Sequence, residues 1–255
     1  MTTVRLETRM KDYERARQSV ISEEGYIVLR LDGRSFSRLT QEEFACEKPF
    51  DSRFSDWMIE STKAVLGCGI TALYAHTQSD EISILLSRVD SFYGHRTQKL
   101  LSVLASTASA TFSLAAQKFA TFDARILVLP DAEEVANYFL WRERDSVKNA
   151  LNNYMYWSLR QAGKSAEEVT EFLIGKNSKT KLALLKREYG IDFDAIPSWQ
   201  KYGVGLYYEV RRRTGVNRFT GEETLVERLE LITKRELPTS ENYRAWIKEL
   251  IAKRS

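Results

Sequence analysis

The period of hydrophobic positions changes several times along the first part of the chain, and these changes predict strands and helices. Dense β-branched and aromatic residues in GYIVLRLDG, residues 25–33, predict a strand that stops at an Asp-Gly turn pair. In the next segment apolar positions recur at helical spacing, with Asp51 placed as N-cap and Gly67 as stop. A helix therefore follows the first strand.

The next segment continues this alternation. Two short apolar strands, at about 70–76 and 82–87, flank the polar tip TQSDE and predict a hairpin. An Ala- and Leu-rich helix over residues 95–120 and the strand ARILVLP complete the order βαββαβ. Such a repeat folds into an antiparallel sheet with strand order 4-1-3-2 and both helices on one face. The fold class is therefore α+β.

This strand order brings two carboxylates together. Asp32 ends the first strand and Asp80 lies in the hairpin tip, so both are expected at one edge of the sheet. Paired carboxylates repel unless a cation lies between them, and Mg²⁺ prefers oxygen ligands. Two such ions would serve an in-line displacement at phosphorus, and Gly33 permits close approach of the backbone. Two ordinary turn or cap residues are an equally supported reading.

The chain after residue 130 has a different character. Four segments with helical spacing precede KYGVGLYYEVRRR, which returns to strand-like alternation, and a final helix closes the chain. No repeat or low-complexity linker separates the two parts. We therefore predict a catalytic unit over residues 1–140 and a helical extension over 141–255, packed together.

Composition narrows the class of protein. With 255 residues, 43% hydrophobic, the chain has enough apolar material for a core. The first residues are charged, and no apolar run approaches a membrane span, so we expect a cytoplasmic protein without membrane association. Two isolated cysteines and two isolated histidines favour neither a disulfide nor a zinc site. Any metal would have oxygen ligands.

Charge permits a polyanionic partner without requiring one. The net charge is only +3, yet Lys and Arg are concentrated in residues 175–188 and 209–219. A solvated helix face or loop is the more common explanation of any single basic run, by about two to one.

Six motifs, in order, resemble the tRNA-His guanylyltransferase family, enzymes that are similar to polymerase palms but add nucleotides at the 5' end of RNA. They are RLDGRSF (30–36), EKPFDSR (47–53), QSDEISIL (78–85), HRTQKLLS (95–102), FDARILVLP (122–130) and WRERD (141–145). The resemblance implies a polymerase-palm, ferredoxin-like fold over residues 1–140. It also implies two Mg²⁺ ions, ATP and GTP as substrates, tRNA as partner and a homotetramer.

The same resemblance implies site residues. Asp32, the Gly33 carbonyl and Asp80 would bind the two Mg²⁺ ions, with Glu81 beside them as a third catalytic carboxylate. The implied nucleotide-binding residues are Asp32, Gly33, Arg34, Ser35, Phe36, Ser37, Lys48, Ser79, Asp80 and Lys99. Contacts with phosphate or RNA are implied for Arg142, Asn149, Asn153 and Lys181. Lysines suit this role because they act as point charges toward phosphate.

Departures from the family pattern indicate a branch. Where family members that act on tRNA-His carry His-Ile-Asn-Asn-Leu-Tyr-Asn, this chain has VKNALNN, residues 147–153. Val147 neither titrates nor donates a hydrogen bond. Ser37 also stands where many relatives have histidine. This pattern resembles the guanylyltransferase-like branch, which repairs truncated tRNA 5' ends by template-dependent addition.

Three other functions stay open. A dedicated tRNA-His guanylyltransferase would add a single G with the same motifs. A palm-type nucleotide cyclase would use the same metals on a mononucleotide, although the basic second half disfavours it. An inactive RNA-binding module is disfavoured because clustered carboxylates facing RNA would weaken binding.

Overall fold

The computed structural model describes residues 8–10, 25–88, 92–216 and 221–253. The strands are β1 (Tyr26–Gly33), β2 (Ala72–Gln78), β3 (Glu81–Leu86), β4 (Phe122–Leu129), β5 (Val204–Val216) and β6 (Glu223–Lys234). The helices are α1 (Ser52–Leu66), α2 (Thr97–Ala116), α3 (Ala132–Gln161), α4 (Ala166–Leu173), α5 (Ser178–Tyr189), α6 (Ser198–Tyr202) and α7 (Ser240–Ala252). Short helical turns follow β1 and precede α2 and α6.

The strands form one six-stranded sheet in the order β4-β1-β3-β2-β5-β6, and each neighbouring pair is antiparallel. The first four strands confirm the predicted order 4-1-3-2. The strand-like segment KYGVGLYYEVRRR forms the start of β5, as predicted, whereas β6 was not predicted, and these two strands extend the sheet beside β2. The predicted boundary at residue 140 falls inside the continuous helix α3, so the division into two units stays a prediction.

Both faces of the sheet are covered by helices. Because side chains alternate along a strand, Leu29 and Leu31 of β1 face α1 and α2, whereas Val28 faces α3 and α7. A third apolar cluster joins α3 to α4 and α5. The two predicted helices α1 and α2 therefore share one face, as expected from the repeat.

Helix boundaries follow from capping residues. The Asp51 carboxylate accepts a hydrogen bond from the Arg53 backbone N–H at 2.8 Å, and Gly67 ends α1, as predicted. The first two of the four helical segments predicted after residue 130, AEEVANYFLW (132–141) and ERDSVKNALNNYMYWSLRQAG (143–163), both belong to α3. The structure has one helix of 30 residues, because no glycine, proline or capping residue interrupts it there.

Helix α2 is an exception to the expectation that no apolar run in the sequence approaches the length of a membrane span. Its 20 residues reach a mean hydropathy of 1.3, which is enough by length and composition alone to cross a membrane. Leu100, Leu104, Ala108 and Phe112 are nevertheless fully buried on one side of the helix. This spacing of four residues is that of a helix packed on the core of the protein.

Candidate active site

The ends of β1 and β3 form an edge that carries three carboxylates. Asp32 lies opposite Glu81 in the register of β1 and β3. The Gly33 backbone N–H donates a hydrogen bond to the Asp80 carbonyl oxygen at 2.9 Å. A Cβ on Gly33 would lie 2.5 Å from Phe36 Cδ2 and 2.8 Å from Asp80 Cβ. Only glycine therefore fits where the backbone crosses this edge.

Asp80 lies in the two-residue turn between β2 and β3. The preceding residue, Ser79, has a left-handed backbone with φ of 53°, and its Oγ donates to Asp80 Oδ1 at 3.0 Å. Burial, together with the nearby carboxylates Asp32 and Glu81, raises the pKa of Asp80 to about 6. In the protein without a cation, this carboxylate therefore lies in a position that disfavours its charge.

Glu81, by contrast, is surrounded by cations. Its Oε2 lies 2.6 Å from Arg30 Nη2 and 2.6 Å from Arg142 Nη2, and Ser83 Oγ donates to its Oε1 at 3.1 Å. Burial raises the pKa of Glu81, which the two arginines oppose. Arg30 also reaches Asp32 Oδ2 at 3.0 Å. Glu81 is thus held in an ion network, whereas no cation pairs with Asp80 among the described residues.

The oxygen donors at this edge fit Mg²⁺ bound together with a nucleotide. Asp32, Asp80 and the Gly33 carbonyl supply oxygen ligands, while the described residues contain no group of three or more Asp, Glu, His or Cys that would hold a metal alone. Mg²⁺ is usually bound by one or two protein carboxylates plus substrate phosphates and water. The donor set therefore predicts a metal that binds with its phosphate substrate.

A cleft of about 160 Å³ opens beside the hairpin tip. Of the residues implied for nucleotide or RNA binding, it brings together Phe36, Ser37, Lys48, Ser79, Asp80 and Asn153. Lys48 Nζ donates to the Thr40 carbonyl at 2.7 Å and lies 5.0 Å from the centre of the Trp157 ring. Burial lowers the pKa of Lys48. A lysine held in this way presents its charge inside the cleft.

Other implied residues lie outside the lining of the cleft. Arg142 is buried, because its guanidinium binds Glu81 and Asp145. Lys181 Nζ donates to Asn152 Oδ1 at 2.8 Å. Asn149 approaches Asp145 at 3.5 Å, and Lys99 lies 5.3 Å from the Tyr93 ring. Asp32, Gly33, Arg34 and Ser35 belong to the carboxylate edge and the turn after it.

Sequence reasoning missed two features of the site. One wall of the cleft is aromatic, formed by Phe50, Trp157 and Trp199. These residues come from three distant segments and have the pattern of ordinary core positions. Arg30 was also missed, although its position two residues before Asp32 puts both side chains on one face of β1.

Paired carboxylates at a sheet edge, beside a cleft with an oriented lysine and an aromatic wall, define an enzyme of the nucleotidyl-transfer class. The sequence profile of tRNAHis guanylyltransferase matches residues 7–130, and that of the Thg1 C terminal domain matches residues 133–245. The chain belongs to the tRNA-His guanylyltransferase family.

Known relatives agree with this assignment. The tRNA(His) guanylyltransferase of Debaryomyces hansenii is 30% identical over 197 residues, which are 72% of this chain and 73% of the relative. For tRNA(His) guanylyltransferase 1 of Arabidopsis thaliana, also 30% identical, the match covers only 33% of the relative. A bacterial tRNA(His) guanylyltransferase-like protein in complex with ATP is 29% identical, with a TM-score of 0.75, over 96% of this chain and 99% of that chain. A similar bacterial structure contains GTP, with a TM-score of 0.70.

Proposed function

We propose that the protein repairs tRNA 5' ends by adding nucleotides in the 3'-to-5' direction under the direction of a template strand. The 5'-monophosphate of the RNA attacks the α-phosphorus of ATP and releases pyrophosphate, leaving an adenylylated end. The 3'-hydroxyl of an incoming nucleoside triphosphate then attacks the RNA 5' phosphorus, and AMP leaves. Both steps are displacements at phosphorus that depend on positioning and charge stabilisation.

One observation carries this proposal. The hydrogen bond from Gly33 to Asp80 joins the two carboxylate-bearing strand ends directly beside a cleft that contains Lys48. Asp32 and Asp80 would hold two Mg²⁺ ions, which when bound supply charge neutralisation at the phosphates and activate the attacking oxygen. Lys48 and Ser79 are placed to contact the triphosphate. The strand order 4-1-3-2 supports a polymerase-palm type of sheet.

The choice of branch rests on α3. Val147 is half-buried against the apolar cluster that joins α3 to α4 and α5, and it does not line the cleft. An apolar side chain packed in this way offers no proton and no hydrogen bond to an RNA 5' end. The Asn152 side-chain oxygen accepts a hydrogen bond from Lys181 Nζ. These two positions favour repair of truncated ends over addition of a single G to full-length tRNA-His.

Extension assays test the proposal. Wild-type protein and Asp80→Ala are incubated with 5'-labelled, monophosphorylated tRNA-His or with a tRNA that lacks its first nucleotide, together with ATP, Mg²⁺ and each nucleotide in turn. We expect Watson-Crick-directed filling of the truncated tRNA and its loss in the variant. Single G addition to full-length tRNA-His would instead identify the dedicated enzyme.

Failure of any extension would support the cyclase or the inactive RNA-binding module. Cyclic nucleotide formation from ATP or GTP alone separates these two.

Assembly is a second part of the proposal, since we also propose a homotetramer that acts away from membranes. Size-exclusion chromatography with light scattering measures the number of subunits.

A further inference from the structure

Helix α3 carries a half-exposed tryptophan next to the carboxylate edge. Trp141 is 51% exposed, whereas the neighbouring Tyr138 and Phe139 are buried in the cluster between α3 and the sheet. Tryptophan is highly buried on average. An indole left half in water beside a reaction centre is therefore a candidate for ligand contact.

The inner surface of the ring is fixed by a charged neighbour. The Arg142 guanidinium carbon lies over the Trp141 ring, 4.5 Å from the ring centre, and Arg142 Nη2 is 2.6 Å from Glu81 Oε2. Tyr138 contacts the ring edge-to-face at 5.9 Å and hydrogen-bonds Ser83 on β3 through its hydroxyl. One face of the Trp141 ring is thus covered by Arg142. Through Arg142 the ring is connected to Glu81, which lies opposite Asp32.

Polar side chains follow Trp141 along the same side of α3. Asp145, Lys148 and Asn149 follow at intervals of four, seven and eight residues, which places them on the same side of the helix. Eight residues of helix rise about 12 Å. The charge of Asp145 is offset by its ion pair with Arg142 at 3.1 Å. A short stretch of RNA, with one base on the ring and its backbone along the helix, has matching dimensions.

We propose that Trp141 is a stacking platform for a base at the end of the RNA acceptor helix. This inference rests on the proposed function, because it supplies the RNA contact for the carboxylate edge. Every nucleobase has a π-face, so stacking on an indole favours RNA ends without reading their sequence. Arg142 covers one face of the ring while its guanidinium pairs with Glu81.

Two variants that keep an apolar side chain at position 141 test the platform. Trp141→Leu preserves an apolar contact without a π-face, and Trp141→Phe preserves a ring. We measure binding of a 3'-labelled, 5'-monophosphorylated tRNA transcript that lacks its first nucleotide, by fluorescence anisotropy, and the KM for ATP. Trp141→Leu should weaken the tRNA Kd by about 10- to 100-fold, the range of one base–aromatic stack. Trp141→Phe should restore most of the affinity, with the KM for ATP little changed in both.

Phe119→Leu is the matched control, because Phe119 is 79% exposed on the segment after α2 and lies outside the site. Its tRNA Kd should equal that of the wild type. An unchanged tRNA Kd in Trp141→Leu overturns the proposal. So does a raised KM for ATP with an intact tRNA Kd, which would mean that the ring acts only through Arg142 and Glu81. A change in subunit number by light scattering would assign Trp141 to an interface instead and also overturn it.

Failure of the stacking platform and failure of the proposed function give different experimental results. Extension by the wild type tests the reaction, and the ratio of tRNA Kd values between Trp141→Leu and Trp141→Phe tests the platform. Loss of extension with a large Kd ratio would reject the reaction but keep the platform. Extension with equal Kd values would reject the platform alone.

Discussion

Gly33 and Asp80 are joined by a backbone hydrogen bond of 2.9 Å between two strand ends that are 47 residues apart in the sequence. This contact holds the backbones that carry Asp32 and Asp80 side by side without using either side chain. The Asp32 carboxylate pairs with Arg30 at 3.0 Å, whereas no cation pairs with Asp80 among the described residues.

Gly33→Ala should separate the two strand ends. Its Cβ would meet Phe36 at 2.5 Å and Asp80 at 2.8 Å, so the edge must shift. We expect activity to fall by at least roughly tenfold, since small misplacements of catalytic groups are costly. Extension rate and thermal unfolding measure the two effects. Gly67→Ala is the control, because its Cβ would meet the Ala64 and Lys63 carbonyl oxygens at ordinary contact distances of 3.4 and 3.6 Å. Equal activity in both variants would contradict the prediction.

Asp80→Asn should abolish extension without destabilising the fold. Burial and the repulsion from Asp32 and Glu81 disfavour the charged carboxylate, so removing the charge relieves a cost. At pH 8 in EDTA we expect an unchanged or higher Tm, together with a loss of activity of roughly a thousandfold, as for removal of a principal electrostatic group. Asp123→Asn, an exposed neighbour of Asp32 on β4, should keep activity. A large drop in the Tm of Asp80→Asn would show that its charge is structural.

Glu81→Gln, unlike Asp80→Asn, should destabilise the folded protein. Glu81 Oε2 binds two arginines, and the Arg142 side chain is only 8% exposed. Without this anion Arg30 keeps Asp32 and Arg142 keeps Asp145 as partners, so we expect a loss of stability of about 1 to 3 kcal/mol, the order of a hydrogen bond to a charged group. Urea unfolding at pH 8 measures this loss of stability. A stability equal to that of the wild type would mean that Glu81 serves only at the reaction centre.

His76 should make stability depend on pH. Its ring is buried and Nε2 hydrogen-bonds the Tyr202 carbonyl at 2.8 Å, so Nε2 carries the proton. Burial, helped by the charge of Arg142, lowers the pKa of His76 from 6.5 to about 4. Between these two pKa values the unfolded chain therefore binds a proton at His76, whereas the folded protein does not. This contribution is complete above about pH 6.5 and is lost as the pH falls toward 4, by up to roughly 3 kcal/mol.

His76→Gln tests this dependence. The difference in the free energy of unfolding between wild type and variant is measured from pH 7.5 to 4. Subtraction removes the contributions of Asp80, Glu81 and Glu143, whose raised pKa values act in the opposite direction. A difference that does not change with pH would exclude His76 as its source.

Lys48→Met should weaken nucleotide binding. The Lys48 ammonium lies in the cleft between Thr40 and Trp157, where it is placed to contact a triphosphate. We expect the KM for nucleoside triphosphate to rise about tenfold, the order expected for one lost charge-assisted hydrogen bond. Lys63→Met, on the exposed side of α1 beside Glu60, is the control. Equal KM values in both variants would remove Lys48 from the site.

The sequence predicted the parts of the fold that depend on local pattern. Strand alternation, the Asp51 cap and the Gly67 stop follow from residues close together in the chain, and the βαββαβ order then implied that Asp32 and Asp80 meet. The ion network around Glu81 escaped prediction, because Arg142 lies 61 residues beyond it. The aromatic wall escaped for a similar reason, since Phe50 and Trp199 look like core residues until the fold brings them to a cleft.

The 30 residues of α3 connect the two ends of the site as one piece. Arg142, about a third of the way along the helix, pairs with Glu81, and Asn153 and Trp157 line the cleft about two turns and one turn before its end. A single residue inserted between them would turn everything beyond it by about 100°, swinging Asn153 and Trp157 out of the cleft. The number of helical residues between Arg142 and Asn153 therefore fixes how the carboxylate edge and the cleft face each other.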